Sequence, residues 1–247
     1  MLKIIADDFG LALPINEGIF DLLKEGHIDG ASLMANGQAF DDAVEKLKHL
    51  EVQLPSIGIH LVLVEEKSLT GINLPRDHRS FFIKYVLGMI SKKDIRSELE
   101  AQINKITLAG IRPVFINSHQ HLHLLPGIMD MVIEIAQREG IAYIRLVDEP
   151  IRSAGKIFRK LQLVFLKLLS GLAKNKIDKA GLVYNNKFIG FINAGNLSRE
   201  DIELARSIKN GIIELGCHPG LEDDQLRSRY SHWHYNWQKE YDLLKNI

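Results

Sequence analysis

The sequence predicts an α/β fold, a distorted TIM-like (β/α) barrel with mostly parallel strands, and three observations carry that reading. Short apolar runs of strand length alternate with longer stretches of helical periodicity, an order that joins parallel strands through right-handed crossovers. Carboxylates and imidazoles fall at the C-terminal ends of several of these runs, where a β/α barrel builds the mouth of its active site. No Gly-rich dinucleotide fingerprint follows the first run, which argues against a Rossmann domain.

Taken in order, residues 2–6 read as a buried strand and 14–25 as a helix with Pro14 at its start and Gly26 at its end. Residues 30–35 form a second strand, and 40–50 a second helix with Ala43, Leu47 and Leu50 on one face. Residues 56–64 (SIGIHLVLV) are a third strand, and 65–80 a turn-rich stretch holding Gly71, Pro75 and a charged RDHR run. A long amphipathic helix spans 92–109, with Ile95, Leu99, Ile103 and Ile106 three and four apart. Strands over 113–117 and 141–146 flank a helix over 127–138; a helix over 199–208, a strand over 211–215 and a helix over 236–244 follow. The 247 residues read as one barrel domain, 1–247, with a basic amphipathic helical insertion near 152–178.

Lys plus Arg (31) balance Asp plus Glu (31), so net charge gives no reason to expect a nucleic-acid partner. The single cysteine, Cys217, excludes an intramolecular disulfide and a Cys-rich zinc motif. The first residues lack the features of a signal peptide, and no apolar run reaches the roughly 18–20 residues of a membrane span. The expected location is cytoplasmic.

The chemistry concentrates in four segments. NSHQHLH (117–123) places His119, His121 and His123 at alternating positions after a strand; if extended, all three would point the same way. Imidazole and carboxylate together suit a divalent metal. Asp7 and Asp8 follow an apolar strand, where two adjacent carboxylates need a cation or donors. A metal would neutralise one, and the other would sit beside it to accept a proton from water. His60, inside SIGIHLVLV, needs a partner if buried. His218 lies in CHPG, whose Pro219 and Gly220 fix a loop after a strand. Ser118 lacks a G-x-S-x-G elbow, and Cys217 reads as buried filler.

These segments resemble the YdjC-like carbohydrate deacetylase family: ADDFGL (6–11) with NEGI (16–19), NGQAFDDAV (36–44), GIHLVL (58–63), NSHQHLHLLP (117–126) and CHPG (217–220). The resemblance covers most of the chain. It implies a distorted TIM-like barrel that removes acetyl from an N-acetylated sugar with one divalent ion, Mg²⁺ first and Zn²⁺ or another ion as alternatives. By motif position, Asp8, His60 and His119 match the metal ligands, Asp7 the general base and His218 an acid or oxyanion partner. His121, His123, Asn36 and Asn117 match positions in the substrate pocket or behind the ligands. The family often has Asp where Asn117 stands and His where Gln120 stands, which leaves the support behind the ligands open. The stretches GIHLVLVEEKSL, SHQHLHLLPG and NKFIGFINAG look closest to the hopanoid-biosynthesis-associated branch, whose substrate would be a lipid-linked N-acetylglucosaminyl group. Family members are often dimeric, so a homodimer is a further expectation.

Two rival readings stand beside this one: another metal-dependent barrel hydrolase such as a phosphoesterase, and a non-catalytic sugar- or lipid-binding protein. Residues 156–176 pose a separate question. They carry apolar residues at helical spacing, six Lys or Arg and no acid, a pattern suited either to a core-packed barrel helix or to peripheral contact with an anionic membrane.

Overall fold

The computed structural model describes residues 1–50, 55–151 and 157–247. Its elements alternate as the periodicity predicts: β1 (Leu2–Phe9), α1 (Leu13–Glu25), β2 (Gly30–Leu33), α2 (Phe40–Lys48), β3 (Ser56–Leu61), α3 (His78–Val86) and α4 (Lys92–Leu108). Then come β4 (Phe115–Ser118), a 3₁₀ segment (His119–Leu124), α5 (Ile128–Glu139), β5 (Tyr143–Ile144), α6 (Ile157–Lys179), β6 (Lys187–Ile189), α7 (Arg199–Ser207), β7 (Ile213–Cys217), α8 (Asp224–Tyr230) and α9 (Trp237–Lys245).

The seven strands pair in parallel in the order β5-β4-β3-β2-β1-β7-β6. Buried on both faces, β1 to β4 and β7 carry mainly Ile, Leu, Ala and Phe, as parallel strands under helices require. The sheet curls so that its two edges approach each other. Across that seam, Val183 N donates to Ala142 O at 2.8 Å, Ile144 N to Val183 O at 2.9 Å and Phe188 N to Asp148 O at 3.3 Å. Between them the Asn185 amide bonds both the N–H and the C=O of Leu146, each at 2.7 Å. A buried side-chain amide thus replaces a strand rung, and the fold is a distorted TIM-like barrel.

Three local features differ from the sequence reading. Residues 65–80 are not wholly turn: α3 starts at His78, because the Asp77 carboxylate caps it by accepting from Arg79 N and Ser80 N. Strand five shrinks to Tyr143–Ile144, and the strand at Lys187–Ile189 and helix at Asp224–Tyr230 fall outside the segments read from periodicity. Residues 119–124 are not extended; Gln120 and His121 both take left-handed backbone angles near φ 54°. Of the predicted basic helical insertion near 152–178, residues 157–178 lie in α6, while residues 152–156 lie outside the described residues. Among the described residues no helix is long and apolar enough to cross a membrane.

Candidate metal centre

The C-terminal ends of β1, β3, β4 and β7 bring the ligand-type residues together. On a regular strand the adjacent Asp7 and Asp8 would face opposite sides of the sheet. Here β1 carries one extra residue against β2: Ala6 pairs Ala31, yet the next pair is Phe9 with Leu33. The bulge falls at Asp8, whose φ is 65°, and such bulges re-aim side chains beside active sites. As a result, both carboxylates meet groups of the barrel mouth. Gly10, at φ 96°, completes the turn; its N–H donates to Asn16 Oδ1 at 2.7 Å, while Asn16 Nδ2 donates to Ala39 O and Asp42. This ties the NEGI segment to the NGQAFDDAV segment under the site.

Asp8, His60 and His119 are buried, and each offers a ligand atom within 4.8 Å of the others. Asp8 Oδ1 lies 3.2 Å from His60 Nε2 and 3.2 Å from His119 Nδ1. The tautomers follow from the partners on the far side of each ring. Asn117 Nδ2 donates to Asp7 Oδ1 at 2.9 Å, so its Oδ1, 2.7 Å from His60 Nδ1, must accept the imidazole N–H. His60 therefore aims the lone pair of Nε2 at Asp8. His119 Nε2 faces Glu65 Oε2 at 3.4 Å, which turns Nδ1 toward Asp8 in the same way. Two nitrogen lone pairs and a carboxylate converge, and neither His60 Nε2 nor Asp8 Oδ2 has a hydrogen-bond partner. Such an arrangement is repulsive unless a cation joins it, and a two-imidazole, one-carboxylate set fits a divalent metal ion. Burial alone would lower the His119 pKa, but bonds and charges from Asp8 and Glu65 outweigh it and raise the imidazole to about 10, so a proton on Nδ1 and a metal ion compete for the same place beside Asp8. The site thus attracts positive charge.

Asp7 belongs to a different network. Arg145, fully buried, grips it with Nη1 to Oδ2 at 2.5 Å and Nη2 to Oδ1 at 2.9 Å. Ser32 Oγ donates to Asp7 Oδ1 at 2.7 Å, and Arg145 Nε bonds Glu214 on β7, which also accepts from the Tyr143 hydroxyl. Burial would raise the Asp7 pKa, but the Arg145 charge, followed by His60, holds the carboxyl well below the usual carboxylate range.

The other histidines diverge. His123 Nε2 donates to Arg145 O at 2.8 Å while Nδ1 accepts from Ser118 Oγ at 2.6 Å, so its ring braces the residue that holds Asp7. His121, with φ 54°, swings toward Phe188 and Phe191, each ring centroid 5.7 Å away. The alternation that would align residues 119, 121 and 123 is broken by the left-handed backbone at Gln120 and His121. The His218 ring lies tilted against Tyr235 at 4.8 Å, its backbone N–H donates to Glu240 at 2.5 Å and Nδ1 is left unbonded; burial pushes its pKa down. Its loop is seated by a close approach: a Cβ on Gly18 would lie 2.7 Å from Gly220 Cα. Asn36 Nδ2 donates to Lys67 O at 3.1 Å, joining the loops that follow β2 and β3. Ser118 is buried and committed to His123, and Cys217 is buried with Sγ against Ile5 O, so neither is presented to a substrate.

Several residues of this neighbourhood were not singled out from sequence, among them Arg145, Glu214, Glu65 and Trp233. Arg145 had a visible signal, a cation inside the apolar run IAYIRLV, since a buried guanidinium needs a paired carboxylate. Glu65 takes φ 70° and accepts from Trp233 Nε1 at 2.6 Å, while the Trp233 ring lies 4.9 Å from His119. That contact joins residues 168 positions apart and leaves no local trace.

A family model for YdjC-like proteins matches residues 1–246. The chain belongs to the YdjC-like protein family. Among solved structures, this YdjC-like protein is similar to one from Enterococcus faecalis V583, provisionally named a cellobiose-phosphate cleavage protein. The two share 19% identity at a TM-score of 0.73, over 98% of this chain and 89% of the other. At that identity the likeness speaks for the fold.

Proposed function

We propose that this YdjC-like protein is a divalent-metal-dependent hydrolase that removes the acetyl group from an N-acetylated sugar. The observation that carries the reading is the meeting of Asp8, His60 and His119 as three electron-pair donors, with a separately charged carboxylate, Asp7, next to them. A divalent ion held by those three residues supplies Lewis-acid polarisation of an acyl carbonyl and acidifies a water molecule. Mg²⁺ is the ion the family resemblance implies; two imidazoles suit Zn²⁺ or another borderline ion at least as well.

The chain's own residues supply the proton traffic. Asp7 accepts the proton of the attacking water; Arg145, Ser32 and Asn117 hold it ionised and oriented. His218, whose Nδ1 has no hydrogen-bond partner, serves the reacting amide either as a neutral oxyanion donor or, once protonated, as the acid for the departing sugar amine. Trp233 and Tyr235, half-buried beside His119 and His218, form an aromatic wall against which a sugar ring can pack. Among the described residues one ligand cluster is found, which favours a single-ion amide hydrolase over a two-ion phosphoesterase. Resemblance to the hopanoid-associated branch favours a lipid-linked N-acetylglucosaminyl group over a free oligosaccharide, in a cytoplasmic enzyme.

The test is acetate release from N-acetylglucosaminides by chelator-treated protein with and without added divalent ion. Release that depends on the ion and is lost in His60→Ala supports the reading. Turnover unaffected by chelation, or cleavage of a phosphoester instead, would overturn it.

A further inference from the structure

Helix α6 is oriented unlike an ordinary barrel helix. Its side toward the core is narrow: Leu163, Leu169, Ser170, Ala173 and Ile177 are its buried residues. The longer apolar stripe looks outward, with Ile157 72% exposed, Leu161 62% and Leu168 62%, joined by Val164, Phe165 and Leu172. These positions recur three, four and seven apart, so they lie on one helical face over about four turns.

The stripe is continued by α3. Phe82 stacks edge-on against Phe165 at 5.7 Å, and Arg79 sits over the Phe158 ring at 4.6 Å. Beyond that junction Ile83, Val86, Leu87 and Met89 are all exposed. A cavity of about 450 Å³ runs between the two helices, and His121 and Gln120 contribute to its lining, so the face adjoins the barrel mouth. Single exposed apolar residues are ordinary, whereas a contiguous two-helix face marks an interaction surface.

Charge identifies the partner. Helices α3 and α6 contain Arg79, Lys84, Arg159, Lys160, Lys167, Lys174, Lys176 and Lys179 against a single acid, Asp178 at the far end of α6. Some are engaged by neighbours (Lys167 with Asp148, Lys176 with Asp130), but the segments as a whole are cationic. A second copy of the chain would bring like charges together, which opposes pairing through this face. An anionic bilayer offers the opposite charge together with an apolar interior for the exposed Leu, Ile and Phe side chains.

We infer that the α3–α6 face docks the protein on the surface of an anionic lipid membrane, with the barrel mouth beside the contact. The experiment is flotation of the full-length protein with phosphatidylglycerol vesicles and with phosphatidylcholine vesicles, at low and high ionic strength. Binding to phosphatidylglycerol that weakens with salt is expected. The paired change Arg79→Glu with Lys84→Glu should reduce it by roughly tenfold or more. Ile83→Asp with Leu161→Asp, both at exposed positions, should abolish it while the thermal transition stays unchanged. No binding at low ionic strength, equal binding to both lipids, or a wild-type dimer that the Asp substitutions convert to monomers would each overturn the inference.

Discussion

Arg145 holds Asp7 through two hydrogen bonds, Nη1 to Oδ2 at 2.5 Å and Nη2 to Oδ1 at 2.9 Å, although the two lie 138 positions apart in the chain. The same guanidinium bonds Glu214 through Nε, so one buried cation serves two buried carboxylates from β1 and β7. Removing it would leave both uncompensated. Arg145→Met should therefore cost about 3–5 kcal/mol, the usual result of breaking a buried ion pair from one side. In a domain of this size that corresponds to a fall in Tm of roughly 6–20 °C. Calorimetry with metal-free protein checks it, and a Tm within about 2 °C of wild type would show that the pair is not carrying that load.

Asp7 and Asp8 are neighbours with separate partners, Arg145 for the first and the two imidazoles for the second. Asp7→Asn should leave ion binding intact and lower kcat by about 10²-fold or more, the range general-base catalysis supplies. Isothermal titration beside steady-state kinetics separates the two effects. Loss of the ion in this variant would make Asp7 a ligand and require another base.

His123 gives a pH dependence with a definite sign. Burial, aided by the charges of Arg145 and His60, outweighs the backbone bond to Arg145 and the Asp7 charge and lowers its pKa from 6.5 to about 4. Between those values the unfolded chain takes up a proton that the folded chain refuses. Its contribution is thus fully present above pH 6.5 and is lost as pH falls toward 4, by up to about 3 kcal/mol at ~1.4 kcal/mol per pKa unit. Urea unfolding from pH 7 to 4 should show a shallower slope for His123→Gln than for wild type. Identical slopes would place the titration elsewhere. Glu240 acts in the opposite direction, because burial raises its pKa from 4.5 to about 7, so the comparison is between slopes.

Sequence made the barrel legible because β1, β3 and β7 are largely apolar runs in which Asp7, Asp8 and His60 stand out and after which His218 follows; Lys3 and Glu214 are the other charged residues within them. The same interruptions pointed to the groups that Asp8, His60 and His119 now bring within 4.8 Å. Period-two reasoning failed at residues 119–123, since it cannot anticipate two consecutive left-handed residues. It also missed α3, whose start depends on the Asp77 cap rather than on an apolar stripe. The outward turn of α6 was hidden for a related reason: both sides of that helix carry Leu, and only packing shows that Leu163 and Leu169 are the buried ones.

Glu65 and Trp233 govern His119 from outside the triad. Trp233→Phe keeps an aromatic ring, though a smaller one, and removes the N–H that Glu65 Oε2 accepts at 2.6 Å. The variant should weaken ion affinity by about 10–100-fold, as loss of groups that orient ligands does, with Tm near wild type. Competition titration against a metallochromic dye measures this, and an unchanged affinity would remove Glu65 from the support of His119.

The central claim is that Asp8, His60 and His119 form one divalent-ion site. Its most direct test is metal content by mass spectrometry after chelator treatment, reloading with Zn²⁺ or Mg²⁺ and gel filtration, for wild type and for Asp8→Asn with His119→Ala. The account predicts one ion per wild-type chain and none in the double variant. Equal loading of the two proteins, or two ions per wild-type chain, would contradict it.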